Sequence, residues 1–179
     1  MAISFNPRIY LTIINQSKLA LKRQILREQI KKIIVTVGKS YLPDTIKSLN
    51  LRLALMTKKE IGELKKRYKS LKDSDEIPDV LSFPEEEIAS DEMSEKSNQK
   101  KLGSGDIAIC PEIIKENSKR DQLSFPYALL ETILHGFWHL CGLKHDYKSS
   151  TLKKIHQRQK ELIIEAKCSE NFLKENFNI

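Results

Sequence analysis

Three of the chain's four histidines fall in one short stretch, LHGFWHLCGLKHD at 134–146. His135 and His139 are four residues apart. On an α-helix, residues so spaced stand one above the other, about 6 Å along the axis and rotated by about 40°. Both rings can therefore aim at one point, although such pairs also occur on solvated helix faces with no ligand between them. Gly142 comes three residues after His139, and a glycine there lets the backbone take a positive φ and turn back. His145, three residues further on, can then reach the same point from the side. The pattern H-x3-H-x2-G-x2-H offers three neutral imidazoles to one cation and leaves a fourth vertex open, the plan of a catalytic zinc site rather than a closed structural one. Imidazole suits copper, iron and nickel as well.

The helix that must carry the pair opens at Pro126, which suits a first turn, and ends near Cys141 with Gly142 as its left-handed C-cap. The same spacing occurs in metzincin proteases, whose pattern H-E-x-x-H-x-x-G-x-x-H places a glutamate after the first histidine as general base. Here that position is Gly136, which has no side chain to take a proton from water. The ligand spacing is kept and the protease chemistry does not follow.

Upstream, RIYLTIIN (8–15) is apolar and β-branched and reads as a strand. From Lys18 to about Val37, the apolar positions Leu19, Leu26, Ile30, Ile33 and Val37 recur at helical spacing, until Gly38 and YLPD break the pattern. SLNLRLALM (48–56) alternates Leu49, Leu51, Leu53 and Leu55 against Asn50 and Arg52, a strand with one buried side. Thr57 and Glu60 form a capping box for a helix to about Lys69, which buries Ile61, Leu64 and Tyr68 and turns Lys65, Lys66, Arg67 and Lys69 outward. DVLSFP (79–84) and GDIAIC (105–110) are two more short strands. The residues between them, about 85–104, are acidic and then polar with little to bury, as in a mobile surface loop. A short helix opens at Pro111 and runs through Asn117, and a last helix covers about 150–167. The interleaving of strands and helices, without a strict βαβ rhythm, indicates an α+β fold of about four strands in a single domain over 1–179.

Hydrophobic residues make up 40% of the chain and charged residues 31%, the balance of a soluble globular protein. No apolar run approaches the ~20 residues of a membrane span, and MAISFNPRIYLTIIN lacks the features of a signal peptide. Three cysteines without framework spacing point to a reducing compartment, with a cytoplasmic location as the expectation. The net charge of +7 is unevenly spread: residues 1–72 carry 17 Lys or Arg against 4 Asp or Glu, and residues 73–95 carry 10 acids and no base. A basic N-terminal half suits a polyanion such as nucleic acid, and equally a set of solvated helix faces.

Beyond these readings, HGFWHLCGLKH resembles the HGxLHLxGYDH signature of the YbeY-type endoribonuclease family. Two further segments are similar to that family's in the same order: PDVLSFP (78–84) to PTDVLSFP, and GDIAIC (105–110) to its GDIxI strand. The resemblance spans about residues 50–160. It implies a small mixed sheet with helices packed over it and a metal site at the end of a central helix. It also implies a metal-dependent, single-strand-specific endoribonuclease that matures ribosomal RNA, notably the 3′ end of small-subunit 16S rRNA, and serves ribosome quality control. The implied partners are the small-subunit rRNA precursor and the ribosome or its small subunit, and the implied cofactor is one zinc ion on His135, His139 and His145. Two positions depart from the family pattern. Lys144 stands where the signature has aspartate, with Asp146 following the histidine. Lys69, in RYKSLKD, stands where the family has an arginine, and lysine keeps the charge without the fork that grips phosphate through two hydrogen bonds.

On this reading Lys69 and Arg67 bind the RNA backbone, and Lys69 also stabilises charge on the scissile phosphate. Glu131, one turn before His135, is a candidate base or partner of a ligand histidine; the plainer reading is a solvated helix glutamate. Phe137 and Trp138 could stack on bases or fill the core. Asp106 could orient a ligand histidine or simply close a turn, while Cys110 and Cys141 read as core residues and His156 as solvated. Two other functions fit the ligands: a non-catalytic, metal-stabilised RNA-binding assembly factor, and a zinc peptidase-like hydrolase, against which Gly136 tells.

Overall fold

Leu49, Leu51, Leu53 and Leu55 alternate along β2 (Ser48–Leu55) and are all buried, while Asn50 and Arg52 are exposed. A strand with one apolar face must lay that face on a core, and the rest of the fold is arranged around this requirement. The computed structural model describes residues 7–17, 19–20, 22–42, 46–68, 76–85, 103–143, 149–166 and 168. In it β2 runs parallel to β1 (Arg8–Asn15), with Leu51 beside Leu11 and Leu53 beside Ile13. On its other side β2 runs parallel to β4 (Gly103–Ile109), with Leu53 beside Ile107 and Leu55 beside Ile109. The short strand β3 (Val80–Pro84) pairs antiparallel with β4 and forms the far edge, giving the order β1-β2-β4-β3. The expected α+β fold with a small mixed sheet of four strands is the fold found. One boundary differs: Gly103 and Ser104, read as loop, belong to β4, because Leu49 and Asn50 of β2 offer them ladder partners.

Among the described residues five helices, α1 (Arg23–Tyr41), α2 (Lys58–Tyr68), α3 (Pro111–Arg120), α4 (Phe125–Leu140) and α5 (Ser149–Glu165), pack around the sheet. Helix α1 starts later than its apolar spacing predicts and runs past Gly38 to Tyr41. Gly38 is buried and lowers helix propensity without stopping a packed helix. The stop comes at Leu42, whose φ of −106° and ψ of 142° are extended; it precedes Pro43, and a residue before proline is pushed out of the α region. The capping box of α2 forms as expected. Glu60 N–H donates to Thr57 Oγ1 at 3.3 Å, and Thr57 N–H donates to Glu60 Oε2 at 2.8 Å. That backbone bond, and then the Thr57 hydroxyl, hold the Glu60 carboxyl below the usual glutamate range. Tyr68, expected in the core, is instead 69% exposed. Only Ile61 of α2 is fully buried, and by its last turn the helix has passed the core. Tyr68 there meets the ring of Phe83, edge-on at 5.2 Å.

The two faces of the sheet differ. Helices α1, α4 and α5 contact one another on the leucine face, while α2 lays Ile61 and Leu64 against Leu81, Ala108 and Phe83 on the other. Close approach on the leucine face depends on two glycines. A Cβ on Gly136 of α4 would lie 2.8 Å from Ile107 Cγ2, and one on Gly105 of β4 would lie 2.9 Å from both methyls of Leu140. Among the described residues, no helix is long and apolar enough to cross a membrane.

Candidate active site

Helix α4 is buried on nearly every side, as a helix apolar all round must be. Past its first turn only Glu131, Thr132, His135 and His139 reach the surface in part. These four lie along one stripe of the helix. The helical spacing therefore stacks the two predicted ligands where a packed helix still meets solvent.

The histidine rings converge. Nε2 of His135 and Nε2 of His139 are 3.0 Å apart, with the rings nearly perpendicular at 87° and their centroids 4.6 Å apart. Two nitrogens at ~2.0–2.1 Å from a tetrahedral zinc ion stand about 3.3 Å from each other, so the pair has the spacing of two corners of such a site. The same distance lets the two nitrogens share a proton. Among the described residues, no third His, Cys, Asp or Glu joins them in a metal-holding group. His145, the third predicted ligand, lies outside the described residues, as do Lys144, Asp146 and Lys69.

The turn that leads toward His145 is described as far as Leu143. Gly142 has φ of 75°, the left-handed value expected of it. Its N–H donates to the His139 carbonyl at 3.0 Å, and Leu143 N–H donates to the Trp138 carbonyl at 3.3 Å. This pair of bonds is a Schellman cap, and it turns the chain back at the glycine as the spacing required.

Glu131 is largely buried rather than plainly solvated. Its side chain is 15% exposed, and its Oε1 lies 3.6 Å from Nδ1 of His156 on α5. Burial raises its pKa above the ordinary glutamate value, and the His156 charge pulls it partly back. His156 is solvated as expected, and from its exposed position it also faces this carboxylate. Arg67 is exposed at the end of α2, on a helix that packs on the sheet face away from α4. Asp106, a candidate to orient a ligand histidine, is engaged by an arginine. It accepts two bonds from the Arg52 guanidinium, at 2.5 and 2.7 Å, on the outer face of the sheet, where Arg52 also grips Glu85. Phe137 and Trp138 are both buried, and Trp138 packs its ring on Tyr41 at 5.0 Å, so neither is presented to a base. Cys110 and Cys141 are buried; desolvation pushes the Cys141 thiol up to about 12, which keeps it a protonated core residue.

One contact at the site was missed in the sequence. Gln159 of α5 is fully buried and places its Nε2 2.9 Å from Nδ1 of His135, on the ring edge opposite His139. Gln159 sits within the apolar stripe that buries Leu162 and Ile163, and a polar residue at a core position of an amphipathic helix is the signal that could have found it.

Comparison with known proteins gives concordant findings. A family model described as Endoribonuclease YbeY matches residues 12–167. The Endoribonuclease YbeY of Thermotoga neapolitana is 29% identical over 140 residues, covering 71% of this chain and 84% of its own. That of Clostridioides difficile is 28% identical over 148 residues, covering 83% of this chain and 90% of its own. A solution structure of a Thermotoga maritima protein superposes with a TM-score of 0.51 at 26% identity, covering 87% of this chain and 88% of that one.

Proposed function

The chain belongs to the YbeY endoribonuclease family, and from that premise we propose that it is a metal-dependent endoribonuclease cutting single-stranded RNA. Its place would be the maturation of small-subunit ribosomal RNA at the 3′ end, and ribosome quality control. The observation that supports the metal is the 3.0 Å approach of the His135 and His139 Nε2 atoms across perpendicular rings. His135, His139 and His145 would hold one zinc ion, which when bound supplies Lewis acidity toward water and phosphate oxygens.

The chain's own residues supply the rest. His135 and His139 already point their Nε2 atoms at one place, so neither ring must turn to bind. Glu131, one turn earlier on the same stripe, carries a carboxyl whose burial favours the protonated form. It takes a proton from the attacking water or returns one to the leaving oxygen. Lys69 and Arg67 bring positive charge to the RNA backbone, Lys69 as a point charge without the bidentate grip of arginine. Gly136 weighs against a peptidase on the same ligands, because a side chain there would run into Ile107, Val80 and Ser82 and there is no room for a glutamate base.

The test is elemental analysis of the purified protein, paired with digests of a single-stranded small-subunit 3′-end RNA, its duplex, and casein. The expected result is one zinc per chain and cleavage of the single strand alone, abolished by chelation and restored by zinc. Protein that lacks metal and cuts regardless of chelator contradicts the reading. Melting on chelation with no hydrolysis under any condition indicates a metal-stabilised assembly factor instead.

A further inference from the structure

We infer that Gln159 is the positioning residue for His135, setting which ring nitrogen carries the proton and thereby whether the Nε2 lone pair is available to an ion. This rests on the metal reading above. Gln159 is fully buried on α5, and its amide meets Nδ1 of His135 at 2.9 Å. On the far edge of the same ring, Nε2 faces Nε2 of His139 at 3.0 Å. The other end of the amide, Oε1, is also buried and has no hydrogen-bond partner among the described residues. Buried amides are rarely left with an idle end. Among the described residues, the amide is held through its bond to the ring.

A neutral imidazole has one N–H and one lone pair, and a carboxamide has a donor end and an acceptor end related by a half-turn about Cγ–Cδ. Two pairings are therefore self-consistent. In the first, the amide N–H donates to Nδ1, the ring proton sits on Nε2, and the two histidines share it. In the second, Oε1 accepts from Nδ1–H, and Nε2 presents its lone pair beside that of His139. A cation requires the second, since a protonated Nε2 cannot coordinate. Glutamine serves both pairings. A carboxylate serves only the second and buries a charge, and an apolar side chain serves neither. Gln159 thus lets one buried pocket stay hydrogen-bonded in the metal-free and the loaded protein, turning its amide over as the ring changes tautomer.

The experiment uses the full chain and zinc alone as the probe. Zinc affinity is measured by competition with a chromophoric chelator, and the His135 tautomer by long-range proton–nitrogen correlation, with and without zinc. The wild type is expected to carry the His135 proton on Nε2 without zinc and on Nδ1 with it. Gln159→Met should weaken zinc binding about 10–100-fold, the usual cost of losing a partner to a ligand histidine. Gln159→Glu should recover most of that loss and keep the proton on Nδ1 in both states. If Gln159→Met binds zinc as tightly as wild type, or if loaded wild type lacks the Nδ1 proton, the inference is overturned; the second readout needs no variant to fold. If wild type binds no zinc, or if His135→Ala binds it as well as wild type, the metal reading itself fails and this inference with it.

Discussion

Glu131 is the residue at which stability and chemistry make opposite demands. Its carboxyl is pushed into a largely buried position, which raises its pKa, and His156 only partly offsets this. A carboxyl whose folded pKa lies above its unfolded one binds more protons in the folded state. Its contribution is full below the unfolded value and is lost as pH rises through the folded one. Glu131→Gln keeps the shape and removes this loss. Its stability should therefore gain on wild type as pH rises from about 4 toward neutrality, starting from the ordinary glutamate pKa near 4.3, as measured by urea midpoints across that range. The same variant should lose about 10²–10⁴-fold in RNA cleavage, the usual size of a general acid–base contribution. At this scale the sequence was readable where a spacing carries the geometry. Four-residue steps on a helix put Glu131, His135 and His139 one above another in that order. The bonds from His135 to Gln159 and from Glu131 to His156 cross between two helices, 24 and 25 residues apart in sequence, and no local spacing encodes them.

The elements carry their own tests. Gly136 lets α4 lie on the sheet, and Ser82 Oγ donates to its carbonyl at 2.9 Å, pinning β3 to the same turn. Gly136→Ala puts a methyl 2.8 Å from Ile107 Cγ2. Overpacking of this kind costs about 1–3 kcal/mol, and the better helix propensity of alanine returns up to about 1. A net destabilisation read by denaturant unfolding, with the histidine pair shifted and zinc bound more weakly, is the expected outcome. Helix α3 ends in the same kind of cap as α4, with Gln122 and not glycine at the left-handed position, φ 56°. Gln122→Gly should stabilise the protein by about 0.5–1 kcal/mol, read as a higher urea midpoint with an unchanged slope. Strand β2, the capping box at Thr57 and the turn at Gly142 were legible because each is dictated by a few adjacent residues. The true end of α1 and the exposure of Tyr68 were not. The first depends on a proline overriding a glycine, and the second on where the core runs out beneath α2.

In the whole molecule the sheet divides the predicted chemistry. The histidine stripe lies on α4 over the leucine face, whereas α2, with Arg67 exposed at its end, packs on the opposite face against β3 and β4. The family was legible from three short segments, and the sheet order from none of them, because strand pairing is decided by contacts far apart in the chain. What joins the scales is the proposed metal on His135 and His139, which RNA cleavage would require. Its most direct test is the single-turnover rate on a single-stranded small-subunit 3′-end oligonucleotide, for wild type and for folded His139→Ala at equal zinc. The variant is expected to be slower by at least about 10²-fold, more than the loss of a mere partner of a ligand would cause. A folded His139→Ala protein cutting at the wild-type rate would contradict it.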